Sequence, residues 1–84
     1  MRVPSRFTFP FGYTVRIRLV TKDEMEDYGG DGCDGLWLCE QRLILIRKSL
    51  TAARRRWVAV HEIGHAWLDY QHWLENRGLF TEKN

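Results

Sequence analysis

Two prolines and two cysteines are all that 84 residues contain of either. Cys33 and Cys39 make no disulfide framework, and their spacing fits no zinc knuckle. They read as reduced thiols, Cys33 in a loop and Cys39 in a strand, as a cytosolic compartment favours. No apolar run is long enough to span a membrane. The first residues, broken by Pro4 and Pro10, do not form a signal peptide. Charge of one sign is also missing: the formal net charge is +2, which gives no general affinity for nucleic acid. A cytoplasmic protein with neither membrane nor nucleic acid as partner is expected. With no repeat, linker or low-complexity stretch, residues 1–84 read as a single domain with one core.

Aromatic residues are plentiful, with four Trp, three Tyr and four Phe, and such side chains bury much area in a small chain. Tyr13 to Val20 reads as a half-buried strand: Val15, Ile17 and Leu19 point one way, Arg16 and Arg18 the other. Lys22 to Asp34, acidic and then glycine-rich, reads as a loop. Leu36 to Cys39 and Leu43 to Ile46 read as the strands of a hairpin.

Ser49 or Thr51 can cap a helix from Ala52 to about Asn76, which holds no Pro and only Gly64. At about 100° per residue, Val60, Ile63, Trp67, Tyr70 and Leu74 share one face, expected to be the core face. His61, Gly64, His65 and Leu68 share the next. The fold class is α+β, a small twisted, mostly antiparallel sheet packed on one long helix. Trp57, Trp67 and Trp73 are expected in the core or in helix packing.

That helix carries VAVHEIGHAW. His61 and His65 lie four residues apart, on the same side of a helix. Two imidazoles so placed can converge on one ion at about 2.0–2.1 Å each. Glu62, about 100° further round, is poorly placed as a ligand and well placed to reach a water beside the metal. This is the H-E-x-x-H arrangement of two ligands and a general base. Zinc lowers the pKa of its water toward about 7, and a carboxylate takes the proton for attack on a peptide carbonyl. Glu62 then passes it to the leaving amine. Gly64 is expected to let another backbone segment approach closely. The uncharged flanks (Val58, Ala59, Val60, Ile63, Gly64, Ala66 and Trp67) suit a turn buried against a sheet.

These ten residues match the stricter zincin pattern, with Val three before the first His and uncharged residues in the gaps. Over residues 28 to 70, including GLWLCEQRLILIRKSLTAARRRWVAVHEIGHAWLDY, the chain resembles the small ImmA/IrrE-type zincins of phages and mobile elements. The resemblance implies a minimal zincin-like domain and a cytosolic, zinc-dependent metallopeptidase. His61 and His65 would be ligands, Glu62 the base, and a protein or peptide the substrate, often a repressor in ImmA-like proteins.

The third ligand is open. Metzincin-like zincins place a His six residues after the second; Gln71 stands there, and His72 one later. On a continuous helix His72 is about 16 Å along the axis from His61, so it can ligate only if the helix breaks after Leu68. Gluzincins and the ImmA/IrrE type use a Glu from a second helix, which points to Glu82, seventeen residues after His65. Gly78 to Glu82 would have to return along a helix running about 18 Å past His65, just within reach of extended chain. The remaining options are Glu75 or Asp69, both on the wrong part of a continuous helix, and a chain with no third protein ligand.

Arg54, Arg55 and Arg56 oppose the helix dipole and read as a solvated face, with an acidic partner or nucleic acid as a weaker alternative. Asp27, Asp31 and Asp34 lack calcium-loop spacing. In zincins extended substrate adds to an edge strand, here Leu43 to Ile46 or Leu36 to Cys39. The rival to a peptidase is a catalytically idle zincin-fold module that regulates or binds a protein.

Overall fold

The computed structural model describes residues 4–76. Strands β1 (Arg6–Phe9) and β2 (Tyr13–Val20) are followed by helix α1 (Lys22–Asp27), strands β3 (Gly35–Leu38) and β4 (Leu43–Arg47), and helix α2 (Ala52–Asn76). The four strands form one sheet in the order β1-β2-β4-β3. β1 pairs with β2, and β3 with β4, antiparallel; β2 and β4 run parallel, with Ile17 opposite Ile44. The α+β class and mostly antiparallel sheet expected from the sequence are present.

β4 is central, and its side chains alternate between two apolar layers. Ile44 and Ile46 join Tyr13, Val15 and Ile17 beneath Val58, Ala59, Ala66, Tyr70 and Leu74 of α2. Leu43 and Leu45 join Val20 and Met25 on the other face. Burial from both sides explains why β4 is an unbroken apolar run. In β2, Tyr13, Val15 and Ile17 are buried toward α2 and Val20 in the second layer, while Leu19 is exposed, so the buried face expected to run through Leu19 ends at Ile17.

The stretch Lys22 to Asp34 is not all loop. Its first six residues form α1, started by a capping box in which Thr21 Oγ1 accepts from the Glu24 amide and the Glu24 carboxylate accepts from the Thr21 amide. The T-x-x-E signature was in the sequence, and Met25 gives the short helix its reason to fold by plugging the second layer. β1, unforeseen from the sequence, lies across a 3-10 turn from β2 and brings Phe7 and Phe9 against the main core.

α2 starts where the sequence placed it and is helical through Asn76, the last described residue. Thr51 is its cap, with Oγ1 accepting from the Arg54 amide at 3.2 Å. Its buried stripe is Val58, Ala59, Glu62, Ala66, Tyr70 and Leu74. Val60 (70% exposed) and Trp67 (44%) lie outside the core face assigned to them. Trp57 is also exposed, and Trp73 packs against the core as expected.

Candidate functional site

Rotating the buried stripe puts a carboxylate where an apolar side chain was expected. Glu62 is 8% exposed, the one charged residue among the buried described ones. It faces β3 at Gly35. A Cβ on Gly35 would collide with Val58 Cγ1 and stand 3.1 Å from Glu62 Cγ and 3.3 Å from Glu62 Oε2. Only glycine lets the edge strand pass this close to the helix. The close-approach glycine is therefore Gly35. A Cβ on Gly64, where that role was expected, meets nothing among the described residues.

His61 and His65 are both exposed, and their ring centroids are 5.0 Å apart. Trp57 stacks on His61 at 5.3 Å with planes 10° apart. Two cavities of about 320 Å³ each lie between β3 and α2 and share Gly35 and Glu62 in their walls. One adds His61 and Trp57, the other His65 and Trp37. The Glu62 carboxylate thus sits where two halves of one cleft meet, with one histidine on either side. Of the motif's uncharged flanks, Val58, Ala59 and Ala66 are buried, while Val60, Gly64 and Trp67 are exposed. The turn is buried on its Glu62 side and open on its histidine side.

Beyond His65 the helix is held to the edge strand by Asp69, which accepts from Trp37 Nε1. That bond, helped by the Cys39 thiol, holds the Asp69 carboxyl below its usual range. The same carboxylate pushes the Cys39 thiol up, since the neutral thiol is the donor. Cys33 and Cys39 are free, and Cys39 lies just past the end of β3 rather than in it.

The sequence left several routes to a third ligand. α2 runs unbroken past Leu68, so the break that His72 requires does not occur. His72 sits about 10 Å beyond His65 along the axis and lines a different cavity with Arg42 and Asp69. Glu82 lies outside the described residues. Among the described residues no three His, Cys, Asp or Glu side chains gather into a metal-holding group. The donor set there is two imidazoles with an adjacent carboxylate. Neutral imidazole nitrogens one turn apart and open to solvent are what zinc takes, so the residues present fit part of a zinc site.

Of the two strands proposed to receive a substrate, β4 is paired on both sides, and β3 is the edge. No helix among the described residues is long and apolar enough to cross a membrane.

An α+β domain with H-E-x-x-H on a helix beneath an edge strand is the arrangement of a metallopeptidase-like domain. The chain belongs to the Peptidase_M78 family of IrrE N-terminal-like domains, whose family model matches residues 13–83. No curated protein and no solved structure matches the chain.

Proposed function

We propose that this chain is a zinc-dependent metallopeptidase that cleaves a peptide bond in an extended protein segment. The observation that carries this reading is the buried Glu62 at the junction of two cavities, flanked by exposed His61 and His65. The ImmA/IrrE-like motif and the family match support it.

His61 and His65 would hold zinc, with Glu82 as the third ligand supplied by this chain. Bound there, zinc supplies Lewis acidity, lowering the pKa of a coordinated water toward about 7. Glu62 would serve as the general base, accepting a proton at its carboxylate and giving it to the departing amine. Its burial keeps bulk water from competing for the carboxylate and fixes its approach from the β3 side. β3, the edge strand among the described residues, orients the substrate by adding it as a further strand, which sets the scissile bond across Gly35. The substrate is a protein or peptide, and the compartment is the cytoplasm.

The test is elemental analysis beside a cleavage assay on unfolded protein. The wild type should carry one zinc per chain. Glu62→Gln should keep the zinc and lose cleavage by at least about 100-fold, the range of a general base. His61→Ala and Glu82→Ala should lose the metal. Full cleavage by Glu62→Gln would overturn the assignment of the base. Zinc bound with no cleavage by the wild type would leave a binding module in place of an enzyme.

A further inference from the structure

The basic run at the start of α2 is not used by the chemistry above. Three arginines within the first turns oppose the helix dipole, and their placement differs. Arg55 is spent on structure, donating from Nη2 to the Lys48 carbonyl. Arg56 is exposed. Arg54 lines the cavity on the His61 side, together with Asp34, Gly35, Trp57, His61 and Glu62.

Arg54 is held there from two directions. Its Nε and Nη2 donate to Asp34 Oδ2 at 3.3 and 3.1 Å. Its guanidinium carbon lies 5.0 Å from the centroid of Trp57, within cation–π range. Trp57 in turn stacks on His61, so one run of packed groups leads from the first histidine to the arginine. Arg54 Nη1 takes no part in the bond to Asp34, and the side chain keeps 50% of its surface exposed.

Around Asp34 the charge is positive. Asp34 is shared, because Arg47 Nη1 stands 3.5 Å from its other oxygen. One carboxylate between two guanidiniums leaves a surplus cation there, while the cavity's other carboxylate, Glu62, is buried in the wall shared with the second cavity. A basic ligand would have to compete with two guanidiniums for Asp34. An anionic one would find a fixed guanidinium with a donor to spare, backed by an indole face.

We propose that this cavity is a side-chain subsite that selects an acidic residue of the substrate, with Arg54 as the residue that sets the preference. This deepens the peptidase reading and rests on it for the position of the scissile bond. An Asp or Glu side chain a fixed number of residues from that bond enters the cavity and accepts a hydrogen bond from Arg54.

The experiment uses the zinc-loaded protein carrying Glu62→Gln and fluorescein-labelled peptides identical except for Glu, Ala or Lys at one scanned position. Binding is read by anisotropy. A cleavage profile of the wild type on a peptide mixture is taken beside it. At one position the Glu peptide should bind about tenfold more tightly than the Ala peptide, the scale of one charge-assisted hydrogen bond. Adding Arg54→Glu should reverse the order in favour of Lys. Arg54→Lys should keep the sign with a smaller ratio, since an ammonium lacks the planar fork. Circular dichroism confirms that each variant is folded, and Arg54→Gln replaces Arg54→Glu if that variant is not, with the Glu-to-Ala ratio then expected near one. Equal affinity for Glu and Ala peptides at every position, or a ratio unchanged by Arg54→Glu, would overturn the subsite. If the acidic preference appears and follows Arg54 while the wild type cuts nothing, the subsite stands and the peptidase reading alone fails.

Discussion

At Gly35 the active helix and the edge strand are separated by no more than a hydrogen atom's worth of side chain. Substituting alanine there forces Val58 or the strand to move. Gly35→Ala is expected to cost about 1–3 kcal/mol, as overpacking of a tight contact does. It should also lower cleavage through displacement of Glu62. Val58→Ala removes the atom in the way, so the double variant should be more stable than the sum of the two single costs allows, by roughly 0.5–3 kcal/mol of coupling. Urea unfolding of the four proteins measures this. The two histidines and Glu62 were legible in the sequence because their spacing is a helical spacing. Gly35 was not, because its role depends on which strand ends at the edge, and strand order is not written in local periodicity. The burial of Glu62 was hidden for a related reason. Apolar periodicity favoured a face through Val60 and Trp67, whereas the sheet covers a stripe that includes a carboxylate, Glu62.

Among the elements, α2 was the most legible, since a Thr51 cap marks its start and no Pro interrupts it. α1 was hidden by its acidic, glycine-flanked composition. Its stability comes from Met25 in a layer that the sequence does not reveal until β4 is known to be buried on both faces. What joins α2 to β3 is also tertiary: Trp37 donating to Asp69, thirty-two residues apart. Because this bond holds the Asp69 carboxyl below its ordinary value of 3.8, it stabilises the fold fully above about that pH. The contribution is lost as pH falls through the lower folded value. In Asp69→Asn the urea midpoint should therefore fall less steeply between pH 4 and pH 2, on the order of the acid range of a carboxylate, than in the wild type. A parallel pair of curves would show that Asp69 does not tie the strand to the helix in its charged form.

For the whole molecule, one small sheet and one long helix leave little core to spare, and small domains often draw stability from a bound metal. If zinc binds the folded chain and not the unfolded one, free zinc at about 100 times its dissociation constant adds about 2.7 kcal/mol. For a domain of this size that corresponds to a rise in Tm of about 10–20 °C. Differential scanning calorimetry with and without a chelator should show it, and His61→Ala should abolish it. An unchanged Tm in the wild type would mean that the histidine pair holds no metal tightly enough to matter. The overall α+β architecture was legible from the pattern of elements; the parallel pairing of β2 with β4 was not, because it joins segments separated by α1 and β3.

The stack of Trp57 on His61 also makes the site visible to light. An imidazole in face contact with an indole changes that indole's emission when it gains a proton or a metal. Trp67 and Trp73 sit in other surroundings, packed among Tyr and Phe rings, and Trp37, bonded to Asp69, shares a cavity with His65 without stacking on it. Zinc added to the metal-free chain should therefore change the emission intensity chiefly through Trp57, and Trp57→Phe should remove most of the response while leaving binding itself measurable by calorimetry. The protein carries its own optical reporter one helical turn from its first histidine.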